Sequence, residues 1–277
     1  MKPARFDYAQ PDTVAQALEL LAQHGDAARI LAGGQSLVAM LNMRLLSPEL
    51  LIDISQLSEL KNIKRELVQI EVGAAVTQQA LLEWPALSDA QPLLAKVLPW
   101  VGHYQTRNRG TVCGSLVHAD PSSELPLVLA LLDGEVVVRN RGVERVLSAR
   151  EFHIAMMSTS VKADEMVIAV RFPCAGAAST YAFAEVSQRH GDFAIAAIGV
   201  VADAQVIRIG IAGLADIPAV FTLPWDSDAV MRKQLNDIAW TLGATDDAHA
   251  SARYRRELVR RVGLGLLTEV RDALSKR

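Results

Sequence analysis

The stretch Leu31-Ala32-Gly33-Gly34-Gln35-Ser36-Leu37 joins two short apolar runs, and it decides how the first part of the chain folds. Adjacent glycines adopt backbone torsions closed to other residues, and they let main-chain N–H groups approach a ligand with no side chain between them. The Ser36 hydroxyl adds a further donor. This combination suits an anion, most often a phosphate, at a strand-to-helix turn, although a Gly-Gly pair alone also fits an ordinary tight turn.

A second stretch, residues 107–126 with the sequence RNRGTVCGSLVHADPSSELP, is also small, polar and glycine-bearing. It begins with basic side chains, continues through several hydroxyls and ends on Glu124 before an apolar helix. Two such stretches on one chain are suited to hold a single diphosphate from both sides. Glu124 is placed to accept hydrogen bonds from a sugar hydroxyl or, as an ordinary first-turn acid, to complement the helix dipole.

The composition of the chain argues against several classes of function. The chain has 277 residues and a net charge of -3, which gives no basic footprint for nucleic acid. No apolar run reaches the length of a membrane span, and the first residues lack the apolar core of a signal peptide, so we expect a cytoplasmic protein. Two cysteines, Cys113 and Cys174, and six scattered histidines indicate neither a disulfide framework, a zinc site nor an iron–sulfur cluster, since a cluster normally needs four thiolates.

The chain divides at residues 173–179, a small and flexible segment that is poor in charge. We expect a first domain at residues 1–173, with subdomains at about 1–60 and 61–173, and a second domain at 179–277. Within the first sixty residues, short predicted strands alternate with helices and indicate a small α/β unit. The absence of a G-x-G-x-x-G sequence argues against a Rossmann dinucleotide site.

Local patterns predict individual elements within these units. Residues 91–102 read as one helix, and apolar residues alternate from Met166 to Phe172 on one face of a strand. A long helix is predicted over residues 251–274. Five of its apolar residues are expected on one face: Leu258, Val262, Leu266, Val270 and Leu274. Five arginines are expected on its solvated face, with a basic rim for a partner as the alternative: Arg253, Arg255, Arg256, Arg260 and Arg261.

Taken together, three segments resemble a known family. The sequences AGGQS at residues 32–36 and RNRGT-x-x-GS-x-x-HADPSSELP at residues 107–126 look like the FAD-binding medium subunit of molybdenum hydroxylases, of the xanthine dehydrogenase and aerobic carbon monoxide dehydrogenase type. Residues 185–194, EVSQRHGDFA, fit the R-x-x-D-x-A segment of that family. The resemblance implies a two-part FAD-binding domain of the PCMH (vanillyl-alcohol-oxidase-like) type, followed by a C-terminal α+β domain of the CO dehydrogenase flavoprotein type.

The resemblance also assigns site residues by position. It implies that Leu37 is a cofactor-binding residue and that eight others hold the FAD diphosphate: Ala32, Gly33, Gly34, Gln35, Ser36, Thr111, Gly114 and Ser115. Glu124 stands where the family has an acid near the ribityl chain or ribose, with Asp120 and His118 as neighbouring candidates, and Val167 stands where an apolar residue contacts the flavin ring.

Three residues depart from the family pattern. Cys113 replaces a glycine, and Ser115 replaces a common asparagine. Ala184 lies near the position of a lysine found in the xanthine dehydrogenase branch, which weakens any expectation that this chain handles NAD in that manner.

The function implied by the resemblance is electron transfer. The chain is expected to hold FAD non-covalently, to receive electrons from 2Fe-2S clusters on a small partner subunit and to pass them to an external acceptor. Molybdopterin is expected on a large partner subunit, and this chain is expected to carry no catalytic residue and no metal of its own. Two alternatives remain: a standalone FAD-dependent reductase or oxidase of the same fold, and a non-enzymatic interaction subunit whose glycine loops are merely turns.

Overall fold

The N-terminal part of the chain is a small α/β unit. The computed structural model describes residues 2–276, so that Met1 and Arg277, the outer ends of the two predicted domains, lie outside the described residues. The unit contains five elements, besides a 3-10 turn at Gly25–Ala27: β1 (Asp7–Ala9), α1 (Val14–His24), β2 (Ala28–Leu31), α2 (Leu37–Asn42) and β3 (Leu50–Asp53). The three strands are parallel in the order β1-β3-β2. The Thr13 hydroxyl caps α1 by accepting the Gln16 N–H at 3.2 Å.

The middle part forms a five-stranded antiparallel sheet in the order β4-β5-β10-β6-β7, with a small β8–β9 ribbon beside it. Its strands are β4 (Ile63–Arg65), β5 (Gln69–Gly73), β6 (Glu135–Arg139), β7 (Glu144–Ser148), β8 (His153–Ala155), β9 (Ser158–Thr159) and β10 (Met166–Pro173). Its helices are α3 (Gln78–Leu82), α4 (Leu87–Ala90), α5 (Pro92–Val97), α6 (Tyr104–Arg107), α7 (Val112–His118), α8 (Glu124–Leu131) and α9 (Ala149–Phe152), with 3-10 turns at Ser58–Leu60 and Leu98–Trp100. A capping box of Ser148 and Glu151 begins α9.

One hydrophobic core joins these two parts. Leu18 of α1, Ile52 of β3, Leu94 of α5 and Val138 of β6 belong to the same buried cluster. The small parallel sheet therefore does not fold around a core of its own, and the two predicted subdomains pack as one body.

The C-terminal part is a four-stranded antiparallel meander, β11-β12-β13-β14, with two helices on one face. Its elements are β11 (Thr180–Val186), β12 (Ala196–Ala202), β13 (Val206–Ala212), β14 (Ala219–Pro224), α10 (Asp228–Thr241) and α11 (Ala252–Ser275). The predicted boundary at residues 173–179 begins at the last residue of β10 and continues through the connection to β11. The division into two domains there stays a prediction.

Helix α8 fills the space between the middle part and the C-terminal sheet. Its sequence ELPLVLAL is apolar on every side, and all of its residues but Ala130 are buried. A Cβ on Gly199 would lie 2.7 Å from the Leu131 side chain, and one on Gly210 would lie 2.8 Å from the Leu127 side chain. These two glycines therefore let the helix approach the strands closely.

Two local predictions differ from the structure. Residues 91–102 do not form one helix, because α5 ends at Val97 and a 3-10 turn follows through Trp100. The alternation along β10 is interrupted by a bulge at Ile168, so that Val167 pairs with Val138 while Ala169 pairs with Val137. The extra residue shifts the pleat, and Val167 is buried rather than exposed.

The predicted apolar face of α11 packs on the core, with Leu266 and Val270 buried and Leu258, Val262 and Leu274 partly buried. The face also includes Val259, Gly263 and Leu267, which the prediction left out. Arg255, expected in solvent, is buried, and its guanidinium donates to the Ile195 carbonyl at 2.8 Å. The predictions of helix and strand are otherwise confirmed as a mixed α+β fold. Across residues 2–276, no helix combines the length and the apolar character that crossing a membrane requires.

Candidate functional site

A cleft of about 740 Å³ lies where the three parts of the chain meet. This volume falls in the range of small-molecule sites in proteins. Four segments line it: residues 32–37, the start of α7, residues 157–167 and residues 191–193. The cleft thus collects the two stretches that the sequence singled out and adds a wall from the C-terminal part.

The two stretches touch each other through backbone atoms. A Cβ on Gly33 would lie 2.8 Å from the Arg109 carbonyl carbon and 2.8 Å from the Gly110 Cα, closer than real Cβ atoms come. Thr77 and Thr111 form an isolated antiparallel bridge beside this contact. The structure therefore requires glycine at position 33, and it holds the two stretches as one rigid wall.

The first stretch presents free main-chain donors to the cleft. Gly34 has φ +72°, the left-handed conformation that favours glycine. In the part of the chain that the structure describes, the amide N–H groups of Gly34, Gln35 and Ser36 have no hydrogen-bond acceptor. Amides that are left unpaired along a turn form a concave site for an anion.

The second stretch is organised by Thr111 and Gly114. Thr111 is the N-cap of α7, and its hydroxyl oxygen accepts the Gly114 N–H at 3.0 Å. A Cβ on Gly114 would lie 2.6 Å from that oxygen, so glycine is needed for the cap. The Thr111 hydroxyl retains its proton as a donor. Cys113 is fully buried, its thiol donates to the Val72 carbonyl at 3.7 Å, and burial raises the pKa of that thiol, so it is held as a neutral core side chain.

Gln78 is a cleft residue that sequence reasoning missed. It is 5% exposed, and its Oε1 has no hydrogen-bond partner among the described residues. The main-chain N–H of Gln78 donates to the Gly110 carbonyl at 2.8 Å, which fixes the residue beside the second stretch. An unpaired buried amide oxygen is costly unless a ligand or water supplies a donor. No sequence signal identified Gln78, because its position depends on the Thr77–Thr111 bridge.

Three polar residues cluster at the far end of the second stretch. Glu124 begins α8 and lines the cleft, and burial, with a smaller effect from the Asp120 carboxylate, raises its pKa to about 7. Asp120 lies 4.0 Å from the His118 ring nitrogen, and its carboxylate accepts the Ser122 N–H at 2.8 Å. His118 lines the cleft, whereas Asp120 is turned into its own loop and does not.

A third wall comes from the segment that leads into β10. Val167 and Met166 supply apolar surface, and Lys162 a cation, to the cleft. Glu165 is anchored by two hydrogen bonds from Arg145, at 2.8 and 2.7 Å, which lower the pKa of that carboxyl. The bidentate pair fixes the backbone of this wall.

The C-terminal part contributes the loop of residues 191–193. Gly191 has φ +86°, and a Cβ there would lie 2.7 Å from the His103 ring. Asp192 is paired with Arg189 at 2.9 Å, and Phe193 lines the cleft although its side chain is 60% exposed. The segment had been noted for its R-x-x-D-x-A pattern, but its place in the wall depends on contacts between distant parts of the chain.

The predicted site residues therefore come together with one exception. Twelve of them line the cleft: Ala32, Gly33, Gly34, Gln35, Ser36, Leu37, Thr111, Gly114, Ser115, His118, Glu124 and Val167. Asp120 lies behind the wall. Within residues 2–276, no group of three or more His, Cys, Asp and Glu side chains is arranged to hold a metal ion. These residues fit a dinucleotide. The free amides and hydroxyls are suited to donate to its diphosphate, and the apolar side chains are suited to contact its ring.

Comparisons with known proteins agree with this site. The chain is 35% identical to the alpha subunit of the 6-hydroxypseudooxynicotine dehydrogenase complex of Paenarthrobacter nicotinovorans, over 94% of this chain and 92% of the relative. It is 37% identical to the beta subunit of caffeine dehydrogenase from a Pseudomonas species, over 78% and 73%. Its structure matches a chain of carbon monoxide dehydrogenase from Hydrogenophaga pseudoflava with a TM-score of 0.92 and 26% identity, over 98% of both chains.

The match to this last structure confirms the predicted α+β architecture over nearly the whole length. A family model described as the FAD binding domain in molybdopterin dehydrogenase matches residues 4–175, which contain both loop stretches and the β10 wall. The chain therefore belongs to the family of FAD-binding subunits of the molybdopterin dehydrogenases, as its motifs had indicated.

Proposed function

We propose that this chain holds FAD non-covalently in the cleft and serves as the electron-transfer subunit of a molybdenum hydroxylase. The observation that carries the proposal is the backbone contact of Gly33 with Arg109, which places two donor-bearing stretches on one wall. Family membership makes the chain an oxidoreductase subunit. When bound, FAD supplies the redox chemistry, and the protein positions it.

The two stretches of this wall share the binding of the diphosphate. The amides of Gly34, Gln35 and Ser36 would donate to it, and the hydroxyls of Thr111 and Ser115 would donate beside them. These are fixed donors that need no rearrangement to meet an anion.

The remaining walls hold the rest of the cofactor. The Glu124 carboxylate accepts from a sugar hydroxyl, and the Gln78 Oε1 is an acceptor that a donor on the ligand would satisfy. Val167 and Met166 give apolar contact and exclude water from the ring. None of these residues acts as a nucleophile or a general base, which fits a chain that only relays electrons.

The partners in this proposal are a large subunit with the molybdenum cofactor and a small subunit with 2Fe-2S clusters. Two relatives are named as subunits of multi-subunit dehydrogenases, which supports an assembly. The two cysteines are free and too few to ligate a cluster, so clusters belong to a partner. Free thiols also accord with the proposed cytoplasmic location.

Isolation of the complex from its native cell through a tag on this chain tests the proposal. We expect a large and a small subunit to co-purify, with molybdenum, iron and one FAD for each copy of this chain. A flavin-bearing chain that turns over a substrate without partners would instead establish a standalone reductase or oxidase. A chain that assembles with its partners but carries no flavin would instead support the hypothesis of a non-enzymatic interaction subunit.

A further inference from the structure

Glu185 is a buried acid that the proposed binding roles do not use. It lies on β11, it is 7% exposed, and neither of its carboxyl oxygens has a hydrogen-bond partner among the described residues. An ionised carboxylate in such a place is strongly disfavoured, because nothing replaces the water that it loses on folding. The group must either bind a proton or gain a partner.

The register of the sheet shows where Glu185 points. Glu185 pairs with Ala197, and Phe183 pairs with Gly199, so these four residues share one face. Ala197 belongs to a small buried cluster with Leu127, one helical turn beyond Glu124 in α8. The carboxyl of Glu185 therefore faces the beginning of α8, directly behind the acid that lines the cleft.

The two acids affect each other. Burial raises the pKa of Glu185 to about 8, the neighbouring Glu124 carboxylate adds to the rise, and the nearby Ser187 side chain offsets a smaller part of it. The pKa of Glu124 is raised to about 7, also chiefly by burial. Glu124 lies in the first turn of α8, where backbone N–H groups favour its charged form, whereas the Glu185 oxygens have no hydrogen-bond donor within residues 2–276, so the negative charge is placed on Glu124 and the proton on Glu185.

Among residues 2–276, the cations nearest to β11 on the helices that pack against it already have partners. Arg255 lies on α11 against the other face of the sheet, where it pairs with Asp247 and with backbone carbonyls. Lys96 lies on α5, which also contacts β11, and it pairs with Glu269 at 3.8 Å.

The other titratable groups around the two acids come from the flanking loops. Before α8, Asp120 lies beside His118. After β11, Arg189 pairs with Asp192, and the ring of His190 stacks on Trp100 at 5.3 Å, which in turn contacts Phe183. β12 carries no ionisable side chain. A proton on Glu185 is therefore the remaining way to balance the buried acids.

We propose that Glu185 and Glu124 form a buried carboxyl pair that retains one proton at neutral pH, with Glu185 as the protonated positioning residue behind the Glu124 carboxylate. The pair then presents one negative charge to the cleft, which is enough to accept from a sugar hydroxyl. Loss of the second proton adds a buried charge next to an anionic cofactor. This inference rests on the proposed binding of FAD only in its effect on affinity, and not in the protonation itself.

Thermal unfolding of the purified full chain tests the pair without the cofactor. A carboxyl whose pKa is raised on folding stabilises the protein fully below its unfolded pKa of about 4.5, and this stability is lost as the pH rises from there to the folded pKa values of about 7 and about 8. We expect the Tm of the wild type to fall toward alkaline pH, between about pH 4.5 and about pH 8, and then to level off, while the Tm of Glu185→Gln exceeds it by on the order of 5 °C at about pH 9. Glutamine is uncharged at every pH, as the protonated acid is, so the two proteins should converge below about pH 4.5.

Two further variants provide a control and a second test for this comparison. Glu165→Gln is the matched control, because Glu165 is also buried but its pKa is lowered by Arg145, so this variant should keep the alkaline fall in Tm. Glu124→Gln removes the second member of the pair and should reduce the fall, which decides the matter if Glu185→Gln does not fold. The infrared carbonyl band of a protonated carboxylic acid at neutral pH should weaken in Glu185→Gln and persist in Glu165→Gln.

FAD titrations at several pH values separate the two proposals. We expect the dissociation constant of the wild type to rise on the order of tenfold between about pH 7 and about pH 9, and that of Glu185→Gln to rise much less. An alkaline fall in Tm that persists unchanged in Glu185→Gln overturns the carboxyl pair. Absence of FAD binding at every pH, with the Tm profiles as expected, overturns the proposed function and leaves the pair intact.

Discussion

Gly33 lies against the carbonyl group of Arg109, so closely that the smallest possible side chain at position 33 would collide with backbone atoms. The neighbours are main chain rather than flexible side chains, so the two stretches would have to separate to admit a methyl group. The substitution therefore tests the shape of the cleft and not only one contact.

Gly33→Ala should lower the flavin content of the purified protein at least about tenfold, with a loss of stability of about 1–3 kcal/mol from overpacking. Visible absorbance and chemical denaturation measure the two effects. Gly142→Ala is the matched control, because Gly142 lies in the β6–β7 hairpin with nothing within 4 Å of a Cβ. Full flavin content in Gly33→Ala would contradict the role of this contact.

Thr111→Ala should cost about 1 kcal/mol through loss of the cap on α7, and should also weaken FAD binding because the hydroxyl donor is lost. Thr13→Ala removes an equivalent cap, from α1, at a residue that does not line the cleft. The two variants are expected to lose similar stability in urea titrations, while only Thr111→Ala loses affinity for FAD. Equal affinities would assign Thr111 a purely structural role.

Arg145→Gln should destabilise the protein by about 1–3 kcal/mol near neutral pH, because it leaves the buried Glu165 carboxylate without its bidentate partner. The pKa of Glu165 is lowered in the folded protein, so the stability that the pair contributes is lost as the pH falls through the acid range. The defect of Arg145→Gln should accordingly shrink toward about pH 4 in denaturant titrations. Arg139→Gln breaks an exposed pair with Glu144 in the same hairpin and should cost less than about 1 kcal/mol.

Arg255→Met should cost about 2–4 kcal/mol, since it leaves the Ile195 and Gly213 carbonyls without their donor. Arg261→Met is the comparison, because Arg261 is exposed on the same helix and pairs only with Glu257. Its loss should be about 0.3–0.5 kcal/mol. Similar costs for both variants would show that burial of Arg255 adds nothing to stability.

Features that depend on neighbours in sequence were predictable. The glycine pair is a local pattern, and the structure has the expected turn there. The Thr13 cap and the Ser148–Glu151 box likewise depend only on residues a few positions apart. The cleft residues of the two stretches were found in the same way, since small residues and hydroxyls are already adjacent in the chain.

Features that depend on long-range contacts were not predictable. Arg255 looks like a surface residue in a run of arginines, and only the approach of the Ile195 and Gly213 carbonyls makes its burial favourable. Gln78 lies in the cleft because the neighbouring Thr77 forms a β-bridge with the distant Thr111. The bulge at Ile168 is set by pairing with β6 and carries no signature in its own sequence.

The all-round apolar character of α8 has a consequence for protein synthesis. The helix leaves the ribosome before Gly199 and Gly210 exist to receive Leu131 and Leu127, so the side of the helix that faces the C-terminal sheet stays exposed in the nascent chain until that sheet forms. A polypeptide that terminates prematurely near residue 175 would keep this apolar side exposed, and we expect it to depend on chaperones or to be degraded.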